Sequence, residues 1–131
     1  AWNHGNIYCT LITYRLMLLR FPHLKPYLVP LEMGKYHVID DLSKIFVDSF
    51  KKKNKSKFKS ISTNPLADNK VRIRFIDANH CPGAAMILIT GPFGNVLHTG
   101  DFRYGGARMI ENIGIDHHIN YLYLDNTFCT P

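Results

Sequence analysis

The sequence predicts an α/β chain built on a mixed, largely antiparallel sheet, and three observations carry that expectation. Val71, Ile73 and Phe75 alternate with Arg72 and Arg74, the period-2 signature of a strand with one solvated face. The apolar run Ala85-Met86-Ile87-Leu88-Ile89-Thr90 is too short for a helix; Gly91-Pro92-Phe93-Gly94 then supplies turn chemistry before Val96-Leu97-His98-Thr99 returns as a strand. Upstream, Leu16 and Leu19, and then Leu42, Ile45, Phe46 and Phe50, fall at helical spacing.

In chain order, Asn6 to Thr10 is a short β-type run, after which Thr10 or Thr13 can cap a helix that continues to Arg20 and is stopped by Pro22. Residues 27–31 and 36–39 read as two short strands around a turn at Gly34-Lys35. Asp40 and Asp41 are N-cap residues for the second helix, which runs into a Lys-rich stretch and a polar loop through Asn69. The strand at 71–76, the loop Cys81-Pro82-Gly83, the strands at 85–90 and 95–99, a helical turn over Arg108 to Ile113 and a last strand at Tyr121 to Leu124 follow. No internal repeat interrupts this order.

The 131 residues suffice for one domain or part of one, and 46% hydrophobic residues with 12% aromatics exclude disorder and low complexity for the whole. The net charge of +6 is a local feature: Lys51, Lys52, Lys53, Lys55, Lys57 and Lys59 are six of the 16 basic residues, and the other ten balance ten acidic ones. Cys9, Cys81 and Cys129 form an odd, widely spaced set, which fits a reducing compartment better than a disulfide scaffold. No apolar run approaches the roughly 20 residues a membrane helix needs, so no membrane partner is expected. A start at Ala1-Trp2-Asn3-His4-Gly5 is neither a signal peptide nor an initiator methionine, and the expectation is an internal part of a longer protein.

Topology places the chemistry. In an antiparallel meander of 71–76, 85–90 and 95–99, the first and third strands end at the same sheet edge, with His80 just past one end and Asp101 just past the other. The segment 102–119 is long enough for a crossover, which makes 121–124 parallel to 95–99 and brings Asp125 to that edge as well. Imidazole nitrogen and carboxylate oxygen are good zinc ligands, but a catalytic zinc takes at least three protein ligands and a water, and His80 with Asp101 supplies two. On spacing alone two readings stand: a metal site, or a packed His in a Pro-Gly loop beside an ordinary Gly-Asp turn.

Residues 75–86 (FIDANHCPGAAM), 99–104 (TGDFRY) and 122–127 (LYLDNT), in this order and spacing, resemble the signature blocks of the metallo-β-lactamase superfamily, β-CASP group, in its DNA cross-link repair nuclease family of Apollo-like and Artemis-like proteins. WNHGNIYCTLIT and LEMGKYHVI are similar to segments that family places earlier. The Asp77-Ala78-Asn79-His80 and Asp101-Phe102-Arg103-Tyr104 strings are Apollo-like, whereas Asn126-Thr127-Phe128-Cys129 is Artemis-like. The likeness covers nearly everything outside 41–69. Cys9-Thr10-Leu11-Ile12-Thr13 departs from the family's Cys-Ser-Pro and leaves that loop's geometry open.

The resemblance implies a partial αββα sandwich, with 51–69 a Lys-rich insertion loop and 121–131 the start of the β-CASP region. It implies that His80 and Asp101 are metal ligands, that Asp125 supports the metal centre, and that these residues serve phosphodiester hydrolysis with water activated by one or two divalent ions, zinc first. It also implies a main ligand cluster, His-x-His-x-Asp-His, upstream of Ala1, so the chain alone is expected to bind metal weakly and to hydrolyse nothing. The implied parent is a 5′-to-3′ exonuclease or structure-specific endonuclease in the nucleus. Its substrate is DNA, single-stranded or at duplex ends, in cross-link or double-strand break repair or telomere-end processing, with telomere or repair proteins as partners. The alternatives are an RNA-processing β-CASP nuclease and an inactive remnant.

Other residues carry quieter expectations. The six lysines of 51–59 are candidate phosphate contacts, a nuclear-localisation patch or, first, a solvated loop. Asp116-His117-His118 reads as a polar connection, His98 as a packed or hydrogen-bonded strand residue, Trp2 as packed and Cys81 as a buried loop thiol. His4 can border the site, and Arg103 and Tyr104 can brace the Asp101 loop.

Overall fold

The structure, a computed structural model, describes Trp2 and residues 4–40, 70–114 and 118–127. Among these, β1 (Ile7–Thr10), α1 (Leu11–Arg20) and β2 (Leu28–Leu31) form a strand–helix–strand unit in which β1 and β2 pair in parallel, Ile7 opposite Leu28 and Thr10 opposite Leu31. Thr10 caps α1: its hydroxyl accepts from the Thr13 backbone N–H at 3.2 Å, satisfying one of the unpaired donors of the first turn. A 3₁₀ turn over Pro22–Tyr27 ends the helical stretch.

The main sheet has five strands in the order β3 (Tyr36–Val38), β4 (Arg72–Asp77), β5 (Ala85–Gly91), β6 (Gly94–His98) and β7 (Tyr121–Tyr123). The first four pair antiparallel to one another in succession, and β7 lies parallel to β6 after the crossover that carries α2 (Ala107–Ile113). The α/β class, the mixed sheet, the meander and the parallel return are as the sequence predicts, with strand ends shifted by a residue or two.

The sheet separates two cores by residue parity. Ile76, Met86, Leu88 and Leu97 pack on one face with Met109 of α2, and Phe102, Ile113 and Ile119 close over them. Ile73, Phe75, Ala85, Ile87 and Ile89 lie on the other, against Leu31, Val29 and Tyr8 of the small sheet. Met86 and Leu88 are 1% and 0% exposed, and burying each such side chain stabilises the fold by about 1.5–3 kcal/mol. The strand β5, read from sequence as one unbroken apolar run, is apolar throughout because both of its faces meet a core.

Several expectations change. The segments 27–31 and 36–39 do not pair around Gly34-Lys35: β2 joins β1 and β3 joins β4, and the Gly34 N–H goes to the Phe75 carbonyl at 2.8 Å. The Arg74 guanidinium donates back to the Gly34 carbonyl at 2.9 Å, so the turn docks on β4 instead of closing a hairpin. Trp2 is 43% exposed, not packed; its indole N–H donates to the Gly5 carbonyl, and its ring meets His4 edge-on. Cys81 is exposed, whereas Cys9 is buried and its thiol pKa is pushed up by that burial. The helix from Leu42, the lysines of 51–59, Asp116, His117 and Cys129 lie outside the described residues.

Candidate metal centre

His80, Asp101 and Asp125 are delivered by loops leaving β4, β6 and β7 at a common edge of the sheet. The first loop is shaped by its own sequence. The Asp77 carboxylate accepts from the Asn79 N–H at 2.9 Å, Asn79 takes the left-handed conformation (φ 52°) that Asn tolerates, and Ala84 N–H closes on the Cys81 carbonyl at 2.9 Å. Pro82 and Gly83 (φ 89°) occupy the middle of that turn, where a positive φ requires glycine. Any Cβ at Gly83 would also stand 2.9 Å from Thr13 Oγ1. The Gly83 carbonyl accepts from the hydroxyls of Thr10 and Thr13 at 3.0 and 3.3 Å, which fastens the small sheet and α1 to the loop carrying His80.

The second loop turns at Gly100 (φ 53°), whose N–H donates to His98 Nδ1 at 3.0 Å. His98 also stacks on Tyr123 of β7, with ring centroids 5.7 Å apart, so its packed and hydrogen-bonded reading holds. Arg103 braces the loop through its backbone: its N–H donates to the Ala78 carbonyl at 2.9 Å, joining the Asp101 loop to the His80 loop.

His80 Nε2 and Asp101 Oδ2 stand 4.0 Å apart. Asp101 is 82% exposed, and a solvated pair at that spacing adds about 0–1 kcal/mol to stability. The juxtaposition is therefore not a device for holding the fold. Imidazole nitrogen and carboxylate oxygen are both zinc-type donors, but with Zn–N and Zn–O bonds of about 2.0–2.2 Å the edge of a tetrahedral shell is about 3.4 Å, so a side chain would have to turn to bring the two donors onto one ion. Among the described residues no group of three or more His, Cys, Asp and Glu side chains is placed to hold a metal ion.

Asp125 lines the same cleft of about 690 Å³ as His80 and Asp101, with Phe102, Arg103, Tyr104, Leu124 and Thr127. Its carboxylate accepts from both the hydroxyl and the backbone N–H of Thr127, the latter at 3.0 Å. These bonds favour the charged form and hold its pKa below the ordinary carboxylate value, with a smaller pull from His80. Thr127→Val is expected to move the Asp125 midpoint upward toward the usual range in a carboxyl-detected NMR titration; an unmoved midpoint would assign the shift elsewhere. The sequence reading passed over Thr127, although Asp-x-Thr is the spacing of an Asx-type turn. It also passed over Thr99, buried at the end of β6, whose hydroxyl accepts from the Asp125 N–H at 3.0 Å.

No family model matches the chain. It is 37% identical over its full length to the 5′ exonuclease Apollo of Danio rerio, of which it spans 19%, and 31% identical over its full length to the DNA cross-link repair protein SNM1 of Arabidopsis thaliana, of which it spans 21%. Over 64 residues, 48% of the chain, it is 50% identical to the human DNA cross-link repair 1A protein, of which that stretch is 6%. The chain thus spans about a fifth of the length of the full-length relatives it matches end to end. It belongs to the β-CASP family of DNA cross-link repair nucleases.

Proposed function

We propose that the chain is the middle part of the catalytic domain of a metal-dependent DNA nuclease, a portion of a metallo-β-lactamase sandwich in which 51–69 is an insertion and 121–131 opens the β-CASP region. The observation that supports it best is the meeting of His80, Asp101 and Asp125 in one cleft, from three loops that the sheet topology brings to one edge. His80 and Asp101 hold one or two divalent ions, zinc first, together with ligands from elsewhere in the parent. Bound there, such ions supply Lewis-acid polarisation of a phosphodiester and acidify water.

The chain's own residues do the rest. The Asp101 carboxylate, exposed and free to turn, presents two oxygens to the cleft. Asp125, whose charged form the Thr127 bonds favour, places a negative charge near His80 and favours a positive centre beside it. Arg103 and Tyr104 line the cleft where a phosphate and an unpaired base would lie. The names of the relatives, a 5′ exonuclease and a DNA cross-link repair protein, support a DNA 5′ end as substrate and cross-link repair as the setting; end processing, a nuclear location and repair or telomere proteins as partners belong to the same proposal.

The test compares matched DNA and RNA ends, each with and without a 5′ phosphate, as substrates of the full-length protein, before and after removal of divalent metal. Metal-dependent cleavage of the DNA end is expected. Cleavage of RNA alone, or cleavage undiminished by metal removal, would overturn the reading.

A further inference from the structure

The two acidic loops of the cleft share a single grip. Thr99 is 3% exposed and directly follows β6. Its backbone N–H donates to the Tyr123 carbonyl at 2.9 Å, one step beyond the β6–β7 ladder, which runs from Val96 opposite Tyr121 to His98 opposite Tyr123. At the next step the backbone can no longer serve, because the chain turns away at Gly100 with φ 53°. The Thr99 hydroxyl takes over: it accepts from the Asp125 N–H at 3.0 Å and donates to the Gly100 carbonyl at 2.9 Å.

These two partners are the peptide planes immediately preceding the two carboxylates. The Gly100 carbonyl belongs to the bond into Asp101, and the Asp125 N–H to the bond out of Leu124. One buried hydroxyl, used as donor and as acceptor, therefore fixes the starting points of both side chains relative to each other. No other side chain described bonds to both loops. The separation matters because an acidic pair placed about an ångström out of register loses much of its effect on a bound ion or a reacting phosphate.

We infer that Thr99 is a positioning residue, setting Asp125 against Asp101 through the peptide planes it grips; this rests on the nuclease reading above. Valine keeps the shape of threonine and removes both bonds, whereas serine keeps the hydroxyl. Thr90 supplies the control, since its hydroxyl is buried with no hydrogen-bond partner among the described residues and Thr90→Val removes nothing that is used.

In the full-length protein, Thr99→Val is expected to lower kcat by about 10–100-fold, to leave KM for the DNA end unchanged, and to raise the divalent-ion concentration needed for half-maximal rate. Thr99→Ser should restore most of the rate, and Thr90→Val should match the wild type. Hydrogen exchange followed by mass spectrometry should show faster exchange over residues 124–127 in the Val variant only. A Thr99→Val protein at wild-type rate, or a Ser variant as slow as Val, would overturn the role of the hydroxyl. A wild-type protein that cleaves no DNA end would instead remove the nuclease reading and the role with it.

Discussion

Asp101→Ala in the full-length protein is expected to lower DNA cleavage by at least about a thousandfold, the rate equivalent of the several kcal/mol that a metal centre contributes to a transition state. Binding to DNA should persist. Affinity for a polyanion comes from neutralising phosphates with basic groups, and removing a carboxylate that is 82% exposed deletes negative charge from the cleft. The variant should also melt like the wild type, because the pairing of Asp101 with His80 spans 4.0 Å in solvent and adds little to the fold. Parallel measurement of cleavage rate and of fluorescence anisotropy with labelled DNA checks both halves. Retained cleavage would show that Asp101 does not hold the metal.

Gly94→Ala is expected to be the most damaging conservative change to the fold. Gly94 opens β6 with φ 96°, a conformation that costs an L-residue about 1–2 kcal/mol. An added Cβ would also land on the side-chain oxygen of Asn120, 2.6 Å from its Cγ. That oxygen accepts from the Asn95 N–H at 2.8 Å, and the Asn120 N–H returns a bond to the Asn95 carbonyl at 2.9 Å. Asn95 is 4% exposed, so displacing Asn120 leaves a buried donor unpaired, at about 1–3 kcal/mol more. The two effects together lower stability by about 2–5 kcal/mol. Gly34→Ala separates them: Gly34 has φ 76° and open space around its Cα, so it carries the conformational cost alone. Chemical denaturation of the two variants should differ by the cost of the broken Asn95–Asn120 pair. Equal losses would mean that Asn120 yields without penalty.

What the sequence made legible follows the range over which the physics acts. The alternation at 71–76, the apolar run at 85–90 and the turn residues between the strands are local, and topology then carries His80, Asp101 and Asp125 to one edge without any knowledge of side-chain contacts. The mispairing of 27–31 with 36–39 has the opposite origin. Gly34-Lys35 has the chemistry of a hairpin turn, but Phe75 and Arg74, some 40 residues away, bind that turn to β4, and Ile7–Thr10 claims β2. Cys81 was read as buried from its place in a pattern, yet the turn closed by Ala84 N–H leaves its side chain at the surface. Thr99 and Asn120 were invisible for the same reason as Gly34: each acts on a backbone group some 25 residues away in the chain.

The division of the main sheet into two cores has a consequence for how the molecule opens. Because Met86 and Leu88 answer to one layer and Ile87 and Ile89 to the other, detaching either layer leaves β5 held by the second. Fluctuations that peel away α2 or the small sheet are therefore separable events, each less costly than global unfolding, while the strands between them release their amide protons last. Each opening also reaches the cleft: peeling the small sheet frees the Gly83 carbonyl from Thr10 and Thr13 beside the His80 loop, and peeling α2 uncovers Phe102 next to Asp101.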